Sequence, residues 1–174
     1  KDITIQSNYD SVKKMMDVSN FIKYEVAEIY FDNTDWPGNN IKFWRSQSLL
    51  GKWKWILFDT DFGFGLFDPI AYRHNTLAFA LEPNGPGWPN PPWSTFLLRT
   101  LTLNSDFKNE FINTFADHLN TTFLSERVIS LINQFRGTLV QEISRHKLKW
   151  PESVFDWENN IEGMRQFASN RIGF

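Results

Sequence analysis

The chain of 174 residues contains no cysteine. That excludes a disulfide framework, a thiolate nucleophile and a cysteine-based zinc site, and it fits an oxidising or a reducing compartment equally. Charge of one sign is also lacking. Eighteen Lys and Arg against 20 Asp and Glu leave a formal net charge of −2, so no global basic field exists to hold a polyanion. Nucleic acid is therefore not expected as the main partner. No apolar run approaches the ~20 residues that span a bilayer, and no basic segment followed by an apolar one opens the chain. A membrane span is not expected.

Aromatic residues are abundant instead. Seventeen Phe, eight Trp and four Tyr make up 17% of the chain, enough for a bulky core and some exposed rings. The hydrophobic fraction of 41% and the charged fraction of 22% are those of a globular chain.

Periodicity gives a coarse layout. Ser11 to Phe31 reads as helical, with Asp17 or Ser19 as N-cap and Phe21, Ile22, Val26, Ile29 and Tyr30 as the buried stripe. Asp32 to Asn40 is a cluster of loop formers. Two strand candidates follow, Ile41–Arg45 and Trp53–Phe58, and together they predict a β-hairpin. Residues 66–95 read as a long irregular segment. Its part from Leu81 to Trp93 holds five of the eight prolines, which forbids regular helix. Helical patterns then occupy Asp106–Asn120, Ser125–Leu148 and Val154–Phe167. The Phe stripe of this tail is expected in the core. Trp packed on Pro is the expectation for Trp36, Trp88 and Trp93. His74, His118 and His146 show no ligand spacing.

The chemistry concentrates between Asp35 and Gly65. Asp35 and Asn40 stand five positions apart in the loop after the first helical pattern, and Asp59, Asp61, Phe62 and Gly63 stand where the hairpin ends. Carboxylates and an amide oxygen are hard ligands suited to Mg²⁺ or Mn²⁺, with nucleotide phosphates filling other positions. Two carboxylates flanking the single Thr60 repel one another, which favours a cation beside them. An aspartate outside the metal shell can accept the proton of an attacking hydroxyl. A D-x-D of this kind also serves manganese-dependent glycosyltransferases, but those place a nucleotide-binding α/β unit before it. A non-catalytic binding domain with loop tryptophans is the third reading.

Helix, D-x-x-x-x-N loop, hairpin and D-F-G follow one another as in the larger lobe of protein kinases. The stretches Phe31–Asn40 and Trp53–Gly65 resemble more closely the CotH kinase family, named after spore-coat protein H. The helical tail, with Phe107, Phe111, Phe115, Arg127, Trp150 and Trp157, resembles family members too. The resemblance implies an α+β, mostly helical, protein-kinase-like large lobe with a small hairpin at the active site. It implies ATP as co-substrate, Mg²⁺ or Mn²⁺ as cofactor, and Ser or Thr of a protein substrate as acceptor. Carried over by position, Asp35 is the catalytic aspartate and Asn40 a metal ligand. Asp59 and Asp61 are both candidates for the second metal ligand, Asp59 narrowly ahead because it directly follows the apolar strand.

The sequence departs from ordinary kinases in two places. Asn33-Thr34 stands where they carry His-Arg. Nothing before Asp10 resembles a glycine-rich loop or a strand lysine, and about ten residues cannot hold a small lobe. The chain is expected to be one lobe of a longer protein, with activity belonging to the whole.

Overall fold

The computed structural model describes residues 1–83, 88–151 and 156–174. The extended or turn conformation expected for residues 84–87, and the helix start expected at Val154, lie outside the described residues. The described chain is mostly helical with one two-stranded antiparallel sheet, an α+β arrangement. It divides into two compact units, residues 1–63 with 75–117, and residues 64–74 with 118–174.

The first unit is built on α2 (Val18–Phe31). The single helical pattern expected over Ser11–Phe31 is two helices, α1 (Gln6–Met15) and α2. The break has a backbone cause. Trp53 N–H donates to the Met15 carbonyl and Asp17 N–H donates to the Trp53 carbonyl, each at 2.9 Å, so the chain at Met16 pairs with a strand instead of continuing the helix. Asp17 then caps α2, its Oδ1 accepting from Asn20 N–H at 3.1 Å. Helix α2 is buried on almost every side, which suits its apolar composition.

Strand β1 (Lys42–Trp44) pairs with β2 (Lys54–Ile56), with Phe43 opposite Trp55. The Asn20 side chain fastens this hairpin to α2. Its Oδ1 accepts from Trp55 N–H at 2.6 Å and its Nδ2 donates to the Trp55 carbonyl at 3.2 Å. The Trp55 ring packs on Phe21 at 4.6 Å between centroids. A two-stranded hairpin is marginal by itself, so this anchorage sets its position.

The segment expected to be irregular contains a short helix, α3 (Thr76–Leu81), because Asn75 caps it by accepting from Ala78 N–H at 2.9 Å. Helix α4 (Phe96–Leu101) and most of α5 (Ser105–Leu119) complete the first unit, with Leu98, Leu101, Phe107 and Phe111 in its core.

In the second unit α6 (Ser125–Lys149) pairs with α7 (Trp157–Asn170) over Val128, Ile132 and Ala168. Ser125 Oγ donates to the Ala168 carbonyl at 2.7 Å. Arg171 is buried, its Nη1 donating to the carbonyls of Tyr72 at 3.1 Å and His74 at 2.7 Å. Here the expected Phe stripe is only partly core. Phe135 and Leu139 are exposed. Helix α6 is about 37 Å long and α7 about 21 Å, so α7 cannot cover its far end. No described helix is long and apolar enough to cross a membrane.

Candidate active site

The loop after α2 begins with Asp32 at φ 52°, a left-handed C-cap that turns the chain away from the helix. Asn33 follows and is buried. Its Nδ2 donates to Glu28 Oε2 at 2.9 Å, and its Oδ1 accepts from Asp35 N–H at 3.2 Å. One side chain therefore links the last turn of α2 to the backbone of Asp35. Trp36 is fully buried and anchors the loop from below. The other two loop tryptophans, Trp88 and Trp93, each leave 64% of their surface to solvent. The loop's far side is fixed at Gly38, where any Cβ would fall on the Pro89 carbonyl oxygen and Pro91 Cδ.

Asp35, Asn40, Asp59 and Asp61 come together. Asp35 Oδ2 accepts from Asn39 Nδ2 at 2.8 Å and from Asn40 Nδ2 at 2.7 Å. The same Asn40 nitrogen reaches to 3.5 Å from the Asp59 carbonyl. A stronger tie lies one residue earlier in the loop. Thr34 N–H and Oγ1 both donate to the Phe62 carbonyl, at 3.3 and 3.1 Å. The turn at Gly63 packs against Phe31, where a Cβ would stand 3.0 Å from the Phe31 oxygen. Asn40 and Asp59 both hold left-handed backbone, φ 54° and 56°. Such conformations are strained for a residue with a Cβ and persist where the surroundings enforce them.

The Asp59 carboxyl is exposed, yet its pKa is raised. Partial desolvation contributes most, then the Asp61 carboxyl beside it and the charge of Asp35, with Lys42 opposing. Negative charge is thus in excess here. Lys42 itself lies over the Phe58 ring, 3.7 Å from the centroid. Among the described residues no three His, Asp or Glu side chains form a group that holds an ion by itself.

Under the loop, α2 buries two carboxyl groups. Burial pushes Glu28 up to about 7, and the Asn33 bond pulls it down. Burial and the neighbouring Glu28 raise Glu25 well above the usual range. Among the described residues Glu25 Oε2 and Glu28 Oε1 find no hydrogen-bond partner. Glu28 and the linking role of Asn33 are not among the site residues expected from the sequence. A signal was available, because Glu25 and Glu28 stand four and seven positions after Phe21, on the apolar stripe of α2.

A family model described as CotH kinase protein matches the chain over residues 1–174, its whole length. No curated protein sequence and no solved structure matches it.

Proposed function

The chain belongs to the CotH kinase family, and from that premise we propose that it transfers the γ-phosphoryl group of ATP to a serine or threonine hydroxyl of a protein. Its fold then corresponds to the larger lobe of a protein kinase. The observation that carries this reading is the meeting of two loops far apart in sequence, with Asp35, Asn40, Asp59 and Asp61 at their junction.

Each residue takes a role its contacts suit. Two amide donors on Asp35 Oδ2 fix the orientation of the carboxylate. Its second oxygen takes the proton of the acceptor hydroxyl as the hydroxyl's own oxygen bonds to the γ-phosphorus and the bond to ADP breaks. The Asn40 nitrogen is engaged, so its Oδ1 is the atom that turns to a cation. Asp59 and Asp61 supply the carboxylates. Two carboxylates and one amide oxygen fit Mg²⁺ or Mn²⁺, which commonly take their remaining oxygens from nucleotide phosphates and water. The excess negative charge around Asp59 agrees with that donor set. When bound, the ion supplies neutralisation of the charge that develops on the phosphates. The chain beneath serves placement: Asn33 sets the Asp35 backbone, and Thr34 holds the D-F-G turn to it.

The test is transfer of label from γ-labelled ATP, with Mn²⁺ or Mg²⁺ and a general acceptor such as casein, by the protein and its Asp35→Asn and Asp59→Asn variants. Label on Ser or Thr that disappears in both variants is the expected result. Equal incorporation by all three proteins removes the assignment.

A further inference from the structure

The hairpin presents a surface that phosphoryl transfer does not use. Between Ile41 and Phe58 stand four cations, Lys42, Arg45, Lys52 and Lys54, with no Asp or Glu, although the chain as a whole is acidic. The same segment exposes more large apolar side chains than any other stretch among the described residues of the first unit. Leu49 and Leu50, in the turn, have relative exposures of 105% and 91%. Phe43 and Trp44 are about half exposed and Trp53 more than a third. The rings and cations are interleaved. Phe43 meets Trp53 edge-on at 5.5 Å, and the Arg45 guanidinium lies 5.2 Å from the Trp53 ring centre.

Beside the turn is a cavity of about 350 Å³, whose lining includes Trp44, Ser46, Ser48, Lys52, Lys54 and Asp17. Asp17 is already engaged, capping α2 through Oδ1 and pairing through Oδ2 with Lys54 at 3.4 Å. The Lys52 ammonium and the Ser48 hydroxyl remain to meet a ligand, and Ser46, whose Oγ accepts from Ser48 N–H at 3.3 Å, keeps its own O–H to donate, so all three suit an anion.

We propose that this hairpin docks the protein on an anionic lipid surface. Leu49 and Leu50 enter the boundary between headgroups and acyl chains. Trp44 and Trp53 sit at the headgroup level, and Arg45 and Lys52 meet the lipid charges, with a headgroup phosphate in the cavity. Two features favour a bilayer over an acidic protein. The leucine pair projects from a turn, and a protein partner would need a matching hollow where a bilayer offers apolar medium at every point. Tryptophan and cations flank the leucines in the order met at a membrane–water boundary. The docking is peripheral and reversible, because two leucines and a few cations give marginal anchoring. It is independent of the phosphoryl-transfer reading.

The experiment is co-sedimentation of the protein with phosphatidylcholine vesicles, with and without phosphatidylserine, at two salt concentrations. Wild type is expected to sediment with the phosphatidylserine vesicles, less so in high salt and less with phosphatidylcholine alone. Leu49→Ser with Leu50→Ser should weaken the association about tenfold or more. Arg45→Glu with Lys52→Glu should remove the preference for phosphatidylserine. All four side chains are on the surface, so the thermal unfolding of both variants should match wild type. Wild type left in the supernatant with phosphatidylserine vesicles overturns the proposal. So does a Leu49/Leu50 variant that sediments as well as wild type. Complete displacement by polyglutamate, with equal polyglutamate binding by the leucine variant, assigns the surface to an acidic protein instead. The same pattern with single-stranded RNA assigns it to nucleic acid.

Discussion

Replacing Asn33 by Ala should destabilise the protein more at pH 8 than at pH 5. The Asn33 side chain makes one buried bond, to Glu28 Oε2 at 2.9 Å, and one part-buried bond, from Asp35 N–H at 3.2 Å. The second involves neutral groups and is worth about 1 kcal/mol at either pH. The first depends on the charge of Glu28. In the folded protein Glu28 titrates near 7, against an ordinary value of 4.5. At pH 8 the amide therefore serves a buried carboxylate, a bond worth about 1.5–3 kcal/mol, and at pH 5 a neutral carboxyl, worth about 1 kcal/mol. The expected losses are about 2.5–4 kcal/mol at pH 8 and about 2 kcal/mol at pH 5. In a chain of this size these correspond to falls in Tm of about 10 °C and about 5 °C. The sign in the wild type follows from the same shift. The unfolded chain ionises Glu28 from pH 4.5, the folded one only near 7, so the folded state holds the proton longer. Its contribution is fully present below about pH 4.5 and about 3 kcal/mol is lost as pH rises to about 7. Without the Asn33 donor the folded pKa rises further and the loss extends to higher pH. Urea or thermal unfolding at the two pH values measures this. Equal losses at both, or a larger loss at pH 5, refute the reasoning. In a Glu28→Gln background the effect of Asn33→Ala should no longer depend on pH.

Three further changes have expected outcomes. Trp36→Ala removes a fully buried ring and should cost about 3–5 kcal/mol in denaturant unfolding. Gly38→Ala forces a Cβ onto the Pro89 carbonyl oxygen and Pro91. It should cost about 1–3 kcal/mol and, on the proposed function, lower phosphoryl transfer by displacing the Asp35 loop. Arg171→Met leaves the Tyr72 and His74 carbonyls without their donor. Hydrogen exchange should show lost protection within residues 64–74, at a cost of about 1–3 kcal/mol for the two charge-assisted bonds together.

The parts of the fold visible in sequence are those set by local chemistry. Asp17 caps α2 as its residue type requires, and the hairpin lies between the two aromatic, basic runs that predict it. Helices α5 and α6 start within a residue of the expected positions. What could not be read depends on a distant neighbour. Met16 leaves the helix because Trp53 is there to pair with. Phe135 is exposed although the next residue, Arg136, pairs with Glu158 in the first turn of α7. Trp36 is buried while Trp88 is not, although both precede a proline. The same division holds at the site. The order of Asp35, Asn40, Asp59 and Asp61 is plain in the sequence. Their meeting rests on the Thr34 bonds to Phe62 and on Asn33 tying Asp35 to a buried glutamate, and neither can be read from spacing.

The account rests on that junction gripping a divalent cation, and titration with Mn²⁺ in the presence of ATP, followed by electron paramagnetic resonance, tests it most directly. The protein should take up Mn²⁺ at a site that Asp59→Asn and Asn40→Ala each weaken about tenfold or more. Asp35→Asn, outside the metal shell, should weaken it much less. Binding unchanged in the Asp59 and Asn40 variants, or no binding by wild type, contradicts the account.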